Sequence, residues 1–282
     1  MKLEWPGHRL DFSEKTCIMG VLNVTPDSFS DGGLHFDKDK AINHALELVE
    51  DGADIIDIGG ESTRPGSAQV PLNEELRRTI PVIEAISSKI KVPVSIDTYK
   101  AEVARRAIDA GASMINDISG LRFDPGMAAV VALSGVPVFI MHIKGTPRDM
   151  QINPVYEALI PEIMDYLRES IRIATDAGID EKRIIIDPGI GFGKTFDQNL
   201  QILNRLDEFS TLQKPLAIGV SRKAFIGKIL GGAPPDERVE GTAAAVAISI
   251  LNGAHIIRVH DVREMAKVAR VADAIKKERM TA

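Results

Sequence analysis

Asp97, Asn116, Asp187 and Lys223 share one kind of place in this sequence: each stands at or just past the end of a short apolar run. Asp97 closes Val94-Ser-Ile, Asn116 closes Ser113-Met-Ile, and Asp187 closes Ile184-Ile-Ile. Lys223 ends Ser221-Arg222-Lys223, directly after Pro215–Val220. Two carboxylates in such positions could act as general acid and base, as in glycoside hydrolysis. They could equally accept hydrogen bonds from an amino-substituted ring, and the spacing in sequence does not choose. Asn116 carries both a donor and an acceptor, which favours heterocycle recognition.

A second set suits an anion. Arg258 and His260 lie two apart on one run, so alternation puts both side chains on one side of a strand. A guanidinium fork matches phosphate oxygens. The segment Gly20–Gly33 turns from apolar to polar at Asn23, with Thr25, Asp27, Ser28, Ser30 and Asp31 close behind. Asn23 is expected to face Arg258 and His260 across the site, completing a divided anion site. Phe29 and the Gly32-Gly33 pair suggest a lid. Thr63 and Arg64 sit in a second polar loop, Asp57–Gly66, and Met141 ends a fifth apolar run just before His142. The stretch from Gly189 to Thr195, with Phe192 and Lys194, is not a P-loop, because Pro188 takes its first glycine position. His142 receives no functional role; His8, His35 and His44 are assigned to the surface.

The elements that must position these groups are legible. Candidate strands are Thr16–Leu22, Asp54–Ile58, Val94–Asp97, Ser113–Asn116, Val136–Met141, Arg183–Asp187, Pro215–Val220 and His255–Val259. Most are continuous apolar runs, as parallel strands buried on both faces should be. Helical periodicity fills the intervals, at Lys38–Glu50, Asn73–Ser87, Lys100–Ala110, Pro125–Leu133, Pro154–Ala177, Asp197–Leu206, Arg238–Leu251 and Val262–Glu278. Asn73 is expected to cap its helix and Pro81 to kink or interrupt it. Asp51-Gly-Ala, Ala110-Gly-Ala and Asn252-Gly-Ala repeat where a helix ends before a strand, which is a structural signature. Eight strands each followed by a helix predict a single-domain α/β (β/α)8 TIM barrel over residues 1–282, with its site at the C-terminal strand ends. A doubly wound open sheet fits less well, since it needs fewer strands and an early G-x-G-x-x-G that is missing.

Composition narrows the partners. The chain has 282 residues, 44% of them hydrophobic, and a net charge of -6. The balance argues against nucleic-acid or anionic-membrane binding. A single cysteine, Cys17, excludes an intramolecular disulfide and leaves no structural zinc cluster. The first residues do not read as a signal peptide and no apolar run reaches the length of a membrane span, so a cytoplasmic protein is expected.

The blocks Gly20–Gly33, Gly59–Gly66, Ser95–Thr98, Asn116–Ile118, Met141-His142, Asp187–Lys194, Ser221–Lys223 and Arg258–Val262 closely resemble the dihydropteroate synthases, the folate-pathway enzymes that sulfonamides inhibit. They span nearly the whole chain in order, with no departure at a position where that pattern demands one residue. The resemblance implies condensation of 7,8-dihydropterin-6-ylmethyl diphosphate with 4-aminobenzoate, giving 7,8-dihydropteroate and diphosphate by a dissociative substitution. It also implies Mg²⁺ and a homodimer. By the same resemblance, Asp97, Asn116, Asp187 and Lys223 match the pterin pocket, to which Met141 is added. Asn23 matches the magnesium and diphosphate contact. Arg64, Arg258 and His260 match anion contacts, with Arg64 on a loop that also meets aminobenzoate, while Thr63, Phe192 and Ser221 match the aminobenzoate region. Asn23, Lys223, Arg258 and His260 are taken as the catalytic set. The alternative is a pterin-binding methyltransferase domain that takes methyltetrahydrofolate and serves a corrinoid.

Overall fold

The structure, a computed structural model, describes residues 1–25 and 38–279. It opens with an antiparallel hairpin, β1 (Lys2–Trp5) and β2 (His8–Asp11). Eight parallel strands follow: β3 (Cys17–Asn23), β4 (Ile55–Gly59), β5 (Val94–Asp97), β6 (Met114–Asp117), β7 (Val138–Met141), β8 (Ile184–Asp187), β9 (Ala217–Ile218) and β10 (Ile256–Val259). Their order in the sheet is β8-β7-β6-β5-β4-β3-β10-β9. The ring closes just ahead of β9, where Ile186 bridges Leu216 and its N–H donates to the Pro215 carbonyl at 2.9 Å. The expected (β/α)8 barrel is therefore the observed one.

Alternation along the strands separates two cores. Ile18, Leu22, Ile56, Ile58, Ile96, Ile115, Ile140, Ile186 and Ile257 pack against the surrounding helices. Cys17, Met19, Ile55, Met114, Phe139, Ile185, Ala217 and Ile256 form a separate cluster with Leu3, Trp5 and Leu10 of the hairpin. The hairpin thus plugs the N-terminal end of the barrel and completes its apolar floor.

Strand register then fixes the opposite end. Asn23 pairs with Gly59, Gly59 with Asp97, and Asp97 with Asn116. Met141 pairs with Asp187 on the far side. Backbone pairing alone thus sets the polar groups side by side around the mouth.

Several local expectations are corrected. The helix Leu72–Ser87 runs through Pro81 without interruption; burial of Val82, Ile83 and Ile86 holds the turn that lacks the proline's N–H. Pro71, not Asn73, precedes its first residue, and no side chain caps it. The seventh strand shrinks to Ala217–Ile218, and a short helix, Ala224–Ile229, follows it. The hairpin has no counterpart among the expected elements.

Candidate active site

The centre of the mouth is a charge network around Arg258, on the last residue but one of β10. Its Nε donates to Asp57 Oδ2 at 2.6 Å and its Nη2 to Asp97 Oδ2 at 2.7 Å. The same Asp57 oxygen accepts from Asn116 Nδ2 at 3.0 Å. Asp57 is fully buried, and Asp97 and Asn116 nearly so. Burial pushes the Asp97 carboxyl up to about 7; Arg258 opposes this, and Asp57 adds to it. Arg258 is therefore held in one orientation at the mouth by two carboxylates.

Asp187 and Lys223 make the second half. Gly189 N–H donates to Asp187 Oδ1 at 2.6 Å, yet burial still raises this carboxyl above its ordinary value. Burial lowers the Lys223 amine to about 8, with Asp187 working the other way. Lys223 Nζ lies 4.5 Å from the centre of the Phe192 ring, a cation–π contact. The loop carrying Phe192 is fastened from several sides. Lys194, almost wholly buried, donates to the Phe192 carbonyl at 3.0 Å and meets His142 Nδ1 at 2.7 Å. Tyr156 donates to the Gly193 carbonyl at 2.7 Å, and Gln151 to the Gly191 carbonyl at 2.6 Å. Gly189 has φ +71°, and a Cβ there would lie 1.9 Å from the His142 carbonyl oxygen, so only glycine fits. Met141 is buried with Tyr99, Ile118, Ile143 and Met150, and Phe192 packs on that cluster.

On the other side, His260 N–H donates to Ser221 Oγ at 3.2 Å, and its Nδ1 lies 3.0 Å from the same oxygen. Burial first, and then Arg258, drive the imidazole down to about 3. At neutral pH this leaves the imidazole uncharged, so Arg258 carries the charge of the Arg258–His260 pair. Between Ser221 and Lys223, Arg222 adopts φ +58° and is held by Asp261 through Nε at 3.0 Å and Nη2 at 2.5 Å. This left-handed residue turns the chain sharply between two mouth residues.

Thr63 and Arg64 lie on the loop after β4, with Arg64 exposed. Asn23 ends β3 half-buried, and β3 pairs with β10 as neighbours, which is the arrangement the divided anion site requires. The Phe29 and Gly32-Gly33 lid falls in residues 26–37, outside the described residues. Among the described residues no cluster of three His, Cys, Asp or Glu side chains could hold a metal. Asp57 was missed as a site residue. Its signal was an acid inside an apolar strand, Ile55-Ile-Asp-Ile, in phase with the inward positions.

The pterin binding enzyme family matches residues 19–260. The dihydropteroate synthase of Bacillus subtilis is 52% identical over 94% of this chain and 90% of its own length. The chain belongs to the dihydropteroate synthases. A crystal structure of the Yersinia pestis dihydropteroate synthase with a sulfonamide drug superposes with a TM-score of 0.93 at 43% identity, covering 99% of this chain and all of that one. The Xanthomonas albilineans dihydropteroate synthase in complex with 7,8-dihydropteroate matches with a TM-score of 0.88 at 42% identity, covering 98% of this chain and 99% of that one. Membership of the dihydropteroate synthases replaces the methyltransferase alternative. Among the described residues no helix is long and apolar enough to cross a membrane.

Proposed function

We propose that this chain joins 7,8-dihydropterin-6-ylmethyl diphosphate to 4-aminobenzoate, releasing diphosphate and forming 7,8-dihydropteroate. The observation that carries the reading is the convergence of Asp97, Asn116, Asp187, Lys223 and Arg258 at one barrel mouth, on chain ends set by strand register. A pterin presents a guanidine-like edge. Buried carboxylates and an amide pair with its N–H groups and reject rings that lack them. Phe192, backed by the fastened loop, offers a flat apolar wall for the aminobenzoate ring, and Thr63 and Ser221 are assigned to the same region.

In the reaction the C–O bond to diphosphate breaks first and its electron pair leaves with the diphosphate. The resulting methylene cation is delocalised into the dihydropterin. The aminobenzoate nitrogen attacks that carbon and then loses a proton. Charge builds on the leaving group, so fixed cations at the mouth act more strongly in the transition state than before it. Arg258 is the partly buried one and Arg64 the exposed one, while neutral His260 contributes an N–H.

The donor set bears on magnesium. Asn23 offers one hard amide oxygen at the mouth, and the described residues assemble no cage. That fits Mg²⁺ brought with the diphosphate, since magnesium commonly binds through few protein oxygens plus substrate phosphates. Asn23 would then hold the ion, which supplies charge neutralisation at the leaving group. A homodimer is part of the same proposal. Ile248 and Leu251 of the helix Val239–Leu251 and Val271 and Ile275 of the adjacent helix Val262–Lys276 are exposed, an apolar surface that a second copy would cover. A cytoplasmic setting suits the lone, buried Cys17.

The test is an assay of diphosphate release with each substrate alone and with both. Release that requires both supports the proposal; release from the pterin diphosphate alone at the same rate contradicts it.

A further inference from the structure

We propose that Glu61 is a positioning residue, one that sets the base of the Thr63-Arg64 loop and so controls use of the aminobenzoate half of the site. The proposal rests on the assignment of that loop to aminobenzoate given above. Glu61 is buried, although it sits on a loop whose tip is exposed. Its Oε2 accepts from Val70 N–H at 3.0 Å, so one carboxylate ties both ends of the segment 61–70. The same oxygen accepts from Lys100 Nζ at 2.5 Å, and Oε1 accepts from Tyr99 Oη at 2.6 Å. Tyr99 and Lys100 follow Asp97 by two and three residues, so the neck of the loop is fixed to the end of the strand that carries the pterin-pocket carboxylate.

A second carboxylate shows what Glu61 adds. Glu75, on the helix Leu72–Ser87, also accepts from Lys100 Nζ, and from Thr98 Oγ1 at 2.7 Å. That trio already joins the helix to the end of β5 and satisfies the lysine's charge. A second buried acid on one ammonium costs desolvation, and a well-packed apolar residue would often serve stability as well. What Glu61 alone provides is the grip on Val70 and Tyr99. Further out, the loop is held more lightly, by Gly66 N–H to the Pro147 carbonyl at 3.0 Å and Ser67 Oγ to the Ser62 carbonyl at 2.5 Å. The base is rigid and the tip adjustable, which delivers Thr63 and Arg64 to one region of the mouth while leaving them room to meet a substrate.

The experiment compares Glu61→Leu, Glu61→Gln and Glu75→Leu in steady-state kinetics, with pterin affinity measured by calorimetry. Misplacing a substrate-positioning group by about 1 Å can cost up to a hundredfold, so Glu61→Leu is expected to raise the KM for aminobenzoate roughly tenfold or more. Pterin affinity stays unchanged. Glu61→Gln, which keeps an oxygen for Val70, recovers part of the loss. Glu75→Leu strips the same lysine but keeps the Glu61 bonds to Val70 and Tyr99, and leaves that KM alone. Equal KM changes in Glu61→Leu and Glu75→Leu, or none in either Glu61 variant, overturn the proposal. Arg64→Ala tests the loop assignment itself. An unchanged aminobenzoate KM there overturns both readings, whereas a raised KM there with none in Glu61→Leu overturns the Glu61 proposal alone.

Discussion

Arg258 and Asp57 meet at 2.6 Å inside the barrel although 201 residues separate them in sequence. Strand order makes the contact, because β10 and β4 both flank β3. Asp57 also holds Asn116, so one buried oxygen orients together a guanidinium and an amide that the proposed function assigns to the anion and to the ring. Removing one partner of a buried pair leaves an uncompensated charge and typically costs about 3–5 kcal/mol. Arg258 keeps Asp97 in that variant while Asn116 loses its acceptor, so Asp57→Ala is expected to lose about 2 kcal/mol in denaturant unfolding. A loss under about 1 kcal/mol would mean the pair is solvated in solution.

Arg258→Ala removes the partly buried cation that the proposed function assigns to the leaving group. Loss of one such preorganised group costs about a hundred- to a thousandfold in kcat, and diphosphate affinity should fall with it. Calorimetry with diphosphate and single-turnover rates check the two effects separately. Unchanged kinetics would remove Arg258 from the anion site.

Asp187→Ala is expected to abolish pterin binding in calorimetry. The backbone bond from Gly189 is the structural use of this carboxylate, and its other oxygen is left for a ligand's N–H. Retained affinity would assign Asp187 to the loop rather than to the ring.

Lys223 sets the pH response. Its amine is lowered from 10.5 to about 8. As pH rises the folded chain releases this proton before the unfolded chain does. Between about pH 8 and 10.5 the unfolded state therefore holds more protons, and stability contributed by this group rises with pH. Activity moves the other way if the ammonium is the working form: kcat/KM, which reports the free enzyme, should fall above about pH 8. Lys223→Met should be slow at every pH and lack that limb. The same limb in the variant would assign it to another group.

The hairpin offers a contrast far from the chemistry. Leu3 is buried in the barrel floor with Met19 and Phe139. Leu3→Ala should cost about 2–5 kcal/mol of stability and leave both KM values as they are at temperatures where the variant is folded. Altered KM values would show that the floor communicates with the mouth.

The barrel was legible because strands buried on both faces write themselves as continuous apolar runs, and because polar residues end them. That same habit exposed Asp97, Asn116 and Asp187. Asp57 escaped because it lies within its strand, where only inward phase betrays it, and because its partner arrives from the opposite end of the chain. The hairpin escaped because four-residue strands are too short for their alternation, such as Leu3 and Trp5 inward between Lys2 and Glu4, to stand out. The neutral state of His260 depends on burial and on Arg258, which no local pattern records. Pro81 misled for a related reason: the apolar face of its helix outweighs one missing hydrogen bond.

The most direct test is a crystal structure of this chain with 7,8-dihydropteroate bound. The account predicts the pterin edge on Asp97, Asn116 and Asp187, Lys223 beside the ring, and the benzoate portion between Phe192 and the Thr63-Arg64 loop. A pterin bound away from the Asp97–Asn116 row, or with its amino edge turned toward Arg64, would contradict it.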